Sequence, residues 1–543
     1  MIKIAIGLLF GVLVFYVPNS GKAGVSLPIN LTFIGWLGFA VIAVAWRYRA
    51  QTAHFRPQPQ PLIVTGGVLL LLPWLFQARG NPGVWVLFAA ILLWCTGMRL
   101  QLSEQQKRRL CCVIFLLSLS QTVLCLIQSL QPQLAAKLME YDWLRNHGRP
   151  YGIFQQVNVL ASFLATGLGC GFLLLLTERH RFFAGLYTVG LMLLAFCLAL
   201  IQSRAGALGA IGVIAVLLLA QGSQCWRRAW LPLIAMAGAA ASGWYLTQHV
   251  QIIVDGVPYL LAREYEASTH ERWNILLITW QMIMQKPWLG WGYGTFEYEF
   301  SRYVLAHPEL PYTYSSIVGH PHNELLNAWF QGGIIALLGV LVLLVGWIVI
   351  LLRAWSRNRI NAAYALLVVP LLIHLNFEFP FYLSFFHFGL FLLLLRMGVM
   401  DIPAPVKTPS SGMAIQRAVF MLAGMGLMVF SALGLRANQQ LTELERNNYA
   451  QFPHPVPWYF ATQFERVQFD EMVALLMRYN TDHDDAQLTE FMSRAQRWSQ
   501  RHNDRNIWQS MIMISRFRGD KAQSEALLAI YPRLFPLYPL QKP

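Results

Sequence analysis

Two histidines and an Asn-Glu pair, His320, His322, Asn323 and Glu324, fall in the run 317–333, IVGHPHNELLNAWFQGG, where a long polar stretch gives way to an apolar one. An imidazole at such a border can reach a lipid-borne substrate and a water-borne one alike. His322 and Asn323 lie just ahead of, or within, the first turn of the apolar helix that follows. Backbone N–H groups there disfavour the imidazolium, so a neutral His322 able to accept a proton is expected, which suits a general base. Asn323 or Glu324 is placed to orient the imidazole. The His-x-His spacing, with Glu324 as a third ligand, is also a metal pattern, but no other His, Asp or Glu cluster is spaced to complete a shell.

Three further clusters carry cations or amides. Arg204 follows Ile201, Gln202 and Ser203 in a very short turn between apolar runs. A charge at such a border is functional or snorkels to lipid headgroups. The segment 148–163, GRPYGIFQQVNVLASF, sets Arg149, Gln155, Gln156 and Asn158 at the end of an apolar run. Amides there orient sugar or phosphate oxygens, or merely satisfy a helix end.

The third cluster opens with Ser268, Thr269, His270 and Glu271, a capping-box pattern, followed by Arg272 and an apolar stripe of Trp273, Leu276, Leu277, Trp280 and Met284 that Pro287 stops. Such a helix lies along a membrane interface, with tryptophans at headgroup depth. Arg272, near its start, is then a phosphate ligand, or a surface arginine paired to lipid or to Glu271. The run PWLGWGYGTF at 287–296 lacks the Lys-Ser/Thr of a P-loop and the strand-to-helix setting of a dinucleotide site, and reads as a tight interfacial turn.

A membrane scaffold must position these residues. Of 543 residues 56% are hydrophobic and 12% are charged, and many apolar runs approach the roughly 17–25 residues that cross a bilayer. An all-α polytopic membrane protein is expected. About thirteen spans can be drawn, near 3–17, 27–46, 61–77, 83–98, 110–130, 157–176, 182–201, 205–220, 228–248, 329–352, 360–375, 380–399 and 413–435. The first, behind Met1, Ile2 and Lys3, has the short core of a signal peptide. No clear small-residue cleavage site follows Val17, Pro18, Asn19 and Ser20, so an uncleaved helix is expected.

With thirteen alternating spans, the loops holding Arg47, Arg49 and Arg56, Arg99 and Lys107–Arg109, Arg179 and Arg181, Arg227 and Arg228, and Arg353, Arg357 and Arg359 share one face. That face and the amino terminus should be cytoplasmic. The opposite face receives a loop near 131–156, a large loop near 249–328 and a tail from 436 to 543. The transmembrane domain would be 1–435.

The net charge of +15 lies largely in these short loops, where topology and anionic lipid account for it. No basic, aromatic-studded module accompanies it, which argues against nucleic acid. Neither large outer region holds any of the seven cysteines, so no disulfide framework is expected there. The tail has apolar residues at helical spacing near 437–450, 467–479, 486–501, 503–517 and 520–532, for example Phe469, Met472, Val473, Leu476 and Met477. It reads as a domain of packed helical hairpins, serving acceptor docking or assembly.

The chain resembles the Wzy_C superfamily of O-antigen ligases, O-antigen polymerases and bacterial protein O-oligosaccharyltransferases. His-Asn-Glu-Leu-Leu from His322, Arg272 ahead of PWLGWGYGTF, Arg204 and the large loop before the histidine carry the likeness. The segment 149–161, with Gly152, Gln156 and Asn158, is similar to the short element of protein glycosylation ligases of the PglL type, although Val157 stands where many relatives have proline. The tail is similar to the extension of such enzymes, which simple O-antigen ligases generally lack. The family often has Glu and Pro in the turn NFEFPFY, which adds Glu378 and Tyr382 as supporting candidates, or else marks a packed turn.

The resemblance implies a C-type glycosyltransferase-like architecture in a Gram-negative inner membrane, acting on the periplasmic side. It implies transfer of a glycan from undecaprenyl pyrophosphate to an acceptor hydroxyl without metal or other cofactor. Arg204 and Arg272 would hold the pyrophosphate, and His322 would take the proton from a Ser or Thr of a periplasmic acceptor protein, pilin-like or other, with inversion. The rivals are an O-antigen ligase acting on lipid A-core, a Wzy-type polymerase, and, in another class, a lipid-linked glycan transporter.

Overall fold

A peptide backbone in hydrocarbon must satisfy its own N–H and C=O groups, and the apolar runs of this chain do so as helices. The computed structural model describes residues 2–13, 24–47, 55–76, 83–263, 266–310, 317–403 and 411–540. Eight described helices are long and apolar enough to cross a membrane: Pro28–Arg47, Glu104–Leu130, Val157–Thr177, Arg181–Ile201, Arg204–Gln221, Trp226–His249, Glu324–Trp355 and Ser411–Arg446. The other expected spans fall on shorter apolar helices, among them Ile2–Leu13, Pro61–Phe76 and Phe385–Gly398. Residues 17–20, where a leader would be cut, lie outside the described residues. The chain is a multi-pass membrane protein, helical apart from two short two-stranded sheets among the described residues.

Two compact units divide the chain. The first comprises Met1–Thr65, Val86–Glu264 and Val342–Ala432. At its centre Val157–Thr177 is buried on every side, as an all-round apolar helix must be. It packs against Glu104–Leu130, Arg181–Ile201 and Arg204–Gln221. Small residues permit the close approach, since a Cβ on Gly206 would come within 2.5 Å of Ala161 Cβ.

Basic residues tie helix ends together at one end of this unit. Arg108 pairs with Glu178 at 2.5 Å, Lys107 reaches Asn361 at 3.3 Å, Arg359 donates to Gln221 O at 3.2 Å, and the buried Arg396 pairs with Asp401 at 2.6 Å. Phe55–Pro57 and Asp401–Pro403 form an antiparallel pair there. A second hairpin, Gln251–Val254 with Val257–Leu260, turns through Asp255 and Gly256 at φ +51° and +81°, the positive-φ pair a tight hairpin needs.

The second unit comprises Gly66–Trp85, Tyr265–Leu341 and Leu433–Pro543. Its carboxy-terminal part pairs helix Phe464–Asp482 with Asp485–Trp498, and Arg505–Phe517 with Lys521–Leu534. The last three begin at aspartate caps, Asp484, Asp504 and Asp520, whose side chains accept from the first free backbone N–H groups. Met472, Phe491, Met511, Ile512 and Tyr531 form the core between them. Asn503 fastens this domain to helix Phe296–Ala306: its N–H donates to Glu297 Oε1 at 2.6 Å and its Nδ2 to Ser301 Oγ at 2.9 Å.

Candidate active site

In the first unit, three amide and carboxylate candidates converge. Gln156 caps helix Val157–Thr177, its Oε1 accepting from Val159 N at 2.7 Å, and its Nε2 donates to Glu378 Oε2 at 2.9 Å. Asn158 Nδ2 donates to Glu378 Oε1 at 2.5 Å, and Asn158 Oδ1 accepts from Ser203 Oγ at 2.7 Å. Ser203 in turn accepts from Gly206 N and caps helix Arg204–Gln221, so Arg204 is the first residue of a helix whose cap is held by Asn158. Gln202, in the left-handed region at φ +55°, turns the chain there and donates through Nε2 to Leu261 O.

Glu378 is buried, and both its oxygens accept from amides. His374 lies one helical turn before it with Nε2 3.4 Å from Glu378 Oε2 and Nδ1 2.9 Å from Ser162 Oγ. His374, Ser162 and Ser203 carry little signal in the sequence, where only the i,i+4 spacing of His374 and Glu378 points to a pair. Arg149 is half-buried, and its carbonyl accepts from Tyr141 Oη at 2.8 Å. Tyr382 is half-buried in the turn Pro380–Leu383.

The second unit holds His320, His322, Asn323, Glu324 and Arg272. Asn323 lies just before helix Glu324–Trp355, its Oδ1 accepting from Leu326 N at 3.1 Å. His322 sits one residue earlier, half-buried and at φ +58°. His320 is buried; its Nδ1 accepts from His322 N at 2.8 Å and its Nε2 lies 3.4 Å from Glu324 Oε2. The two rings are 6.2 Å apart and nearly perpendicular. Among the described residues no group of three His, Cys, Asp or Glu side chains is placed to hold a metal ion.

The helix over the expected span at 329–352 is broken. Gly332 and Gly333 leave helical geometry, Gly333 at φ +63°. The carbonyls this frees are taken up by the Gly-aromatic run: Trp291 N donates to Phe330 O at 2.6 Å and Gly292 N to Gln331 O at 3.0 Å. The expected tight turn thus plugs a helix break, the setting in which irregular backbone is tolerated at a membrane protein's core. Tyr293 donates to Leu70 O at 2.6 Å, and burial together with the Glu324 carboxylate pushes its phenol pKa up.

The capping-box expectation is corrected. The helix spans Glu266–Gln285, so Ser268 lies inside its first turn, because Glu266 and Ala267 are good helix formers that extend it. Arg272 is its seventh residue, past the four free N–H groups, and the helix-end field does not reach it. Trp273, Leu277, Trp280 and Met284 of the expected stripe are exposed, whereas Ile275, Ile278 and Met282 pack with Phe296, Phe300 and Phe330.

These residues fall in segments that match known families. Residues 150–171 match the protein glycosylation ligases, 189–341 the O-antigen ligases, and 361–542 the C-terminal part of virulence factor membrane-bound polymerases. The first segment holds Gln156 and Asn158, the second Arg204, Arg272, His320 and His322, and the third Glu378 and most of the tail. No curated protein matches the chain. The chain is thus a multi-pass helical membrane protein that carries, in order, a protein glycosylation ligase segment, an O-antigen ligase domain and a polymerase-type C-terminal domain, the domains of ligase and glycosyltransferase enzymes.

Proposed function

We propose that the chain transfers a preassembled glycan en bloc from undecaprenyl pyrophosphate to Ser or Thr hydroxyls of periplasmic proteins. The observation that carries this reading is the match of 150–171 to protein glycosylation ligases, whose Gln156 and Asn158 grip Glu378 and fix the cap of the Arg204 helix. The helical tail supports it, since a soluble acceptor needs a docking module outside the membrane and a lipid-embedded one does not.

The topology that goes with this function has about thirteen crossings in a C-type glycosyltransferase-like arrangement, with the amino terminus cytoplasmic and the tail periplasmic. The bonds joining Arg108, Lys107, Arg359 and Arg396 to neighbouring helix ends support one shared basic face, which the positive-inside rule assigns to the cytoplasm.

In the reaction, His322 takes the proton of the acceptor hydroxyl as its oxygen attacks the anomeric carbon. The bond from that carbon to the phosphate oxygen breaks, and undecaprenyl pyrophosphate leaves with inversion at the sugar. Arg204 and Arg272 neutralise the charge that develops on the leaving group, which is already a good one and needs no metal. Arg149, Asn323 and Tyr382 are supporting residues in this reading.

The match of 361–542 to membrane-bound polymerases favours a second reading, in which the acceptor is another lipid-linked glycan. Expression in cells that make a lipid-linked glycan but lack their own ligases, supplied with acceptor proteins and lipid A-core, decides by intact mass. Glycan on protein Ser or Thr supports the proposal. Lengthened lipid-linked glycan makes the chain a polymerase, and glycan on lipid A makes it an O-antigen ligase.

A further inference from the structure

A side chain that bonds a neighbour's backbone matters most where that backbone is costly to hold. His322 stands at φ +58°, a region that disfavours residues with a Cβ by roughly 1–2 kcal/mol. Its N–H donates to His320 Nδ1 at 2.8 Å. A nitrogen that accepts a hydrogen bond carries no proton, so in the neutral ring the proton of His320 is on Nε2, which faces Glu324 Oε2 at 3.4 Å, the long end of hydrogen-bond range.

Glu324 is held in turn. Asn327 Nδ2 lies 3.5 Å from Glu324 Oε2, and Gln331 Nε2 donates to Asn327 Oδ1 at 3.1 Å. Residues 324, 327 and 331 share one helix face, and the series ends beside the Gly332–Gly333 break that the Trp291 and Gly292 N–H groups fasten. His320 itself is 6% exposed, too enclosed to meet a bulky glycan, whereas His322 is more open.

We propose that His320 is a positioning residue for His322: it acts through the His322 backbone, holding it in the left-handed conformation, with Glu324 fixing the His320 tautomer. The two imidazoles then work in series, one ring holding the other's main chain, rather than in parallel on a shared ion. The idea rests on His322 being the base of the proposed transfer, and it adds a residue whose role is orientation and not proton transfer.

The test uses the full chain in membranes with a lipid-linked donor and an acceptor protein. His320→Ala loses both bonds and should lower kcat up to about 10²-fold with KM for donor little changed, the scale expected of a misplaced catalytic group. His320→Asn puts an amide oxygen near the former Nδ1 and should restore much of kcat. His320→Gln puts its amide near the former Nε2 and should not. Equal behaviour of the Asn and Gln variants, or full activity of His320→Ala beside an inactive His322→Ala, overturns the proposal and leaves the transfer reading standing.

A wild-type chain that transfers nothing would instead remove the transfer reading. The backbone part is then decided by electron cryomicroscopy of the wild type and His320→Asn and His320→Ala variants. His322 should leave the positive-φ region only in the Ala variant; an unchanged His322 backbone in that variant overturns the inference.

Discussion

Asn158 donates to Glu378 at 2.5 Å across 220 positions of sequence, while its other amide atom accepts from Ser203 at 2.7 Å. One side chain thereby couples the start of helix Val157–Thr177, the turn after His374 and the cap of the helix that begins with Arg204. The orientation of its amide is set by its partners, because only the nitrogen can donate to a carboxylate.

That coupling predicts non-additive losses. Asn158→Ala and Glu378→Ala should each lower thermal stability in detergent, and the double variant should be less harmful than their sum by about 1–3 kcal/mol. Asn158→Asp, which sets two carboxylates face to face, should be worse than Asn158→Ala. A double-mutant cycle showing simple addition contradicts the network.

The broken helix predicts a strict glycine requirement. A Cβ on Gly333 would run into Trp288 O, and one on Gly290 would come within 2.6 Å of Phe330 O, with both residues at positive φ. Gly333→Ala and Gly290→Ala should lower the melting temperature markedly. Gly426, in open surroundings within a helix, is the control; Gly426→Ala should be neutral or stabilise by up to about 1 kcal/mol. Parity between the control and Gly333→Ala removes the docking of the Gly-aromatic run as a structural constraint.

Much of this was legible in the residues, and the remainder was not for identifiable reasons. The tail segments expected near 467–479, 486–501, 503–517 and 520–532 are the helices Phe464–Asp482, Asp485–Trp498, Arg505–Phe517 and Lys521–Leu534, because amphipathic spacing is a local signal. Gln156 and Asn158 stand out as amides at the end of an apolar run and Glu378 enters through the family resemblance, but nothing local says that they bond to one another. The break at Gly332–Gly333 is hard to place from sequence because apolar content continues through it, and what makes it tolerable is a loop about forty residues away in sequence, around Trp291. The hairpin at 251–260 had a readable signal in Asp255-Gly256 between apolar residues.

In the tail, Arg466 is fully buried and bonds Glu445 Oε1 at 2.9 Å, Asn438 O at 3.1 Å and Thr442 Oγ1 at 2.8 Å, pinning helix Phe464–Asp482 to the end of the long helix before it. Removing one member of a buried ionic set leaves the others uncompensated, so Arg466→Ala should destabilise the tail by about 3–5 kcal/mol. Limited proteolysis should then cleave within 447–543 first; unaltered resistance contradicts this account.

Arg204 and Arg272 should not tolerate lysine. A guanidinium offers a planar fork to pyrophosphate oxygens, which an ammonium cannot copy. Arg204→Lys and Arg272→Lys should each lower transfer about 10–10³-fold. Near-normal rates in either variant would assign that arginine to lipid headgroups.

The most direct measurement is single-turnover transfer of a labelled lipid-linked glycan to an acceptor protein by the purified chain and by His322→Ala. The account predicts glycan on Ser or Thr with the wild type and a fall of about 10²–10⁴-fold with the variant, the range lost with a positioned general base, while labelled donor remains intact. Transfer by His322→Ala at the wild-type rate would contradict it and move the base elsewhere in the site.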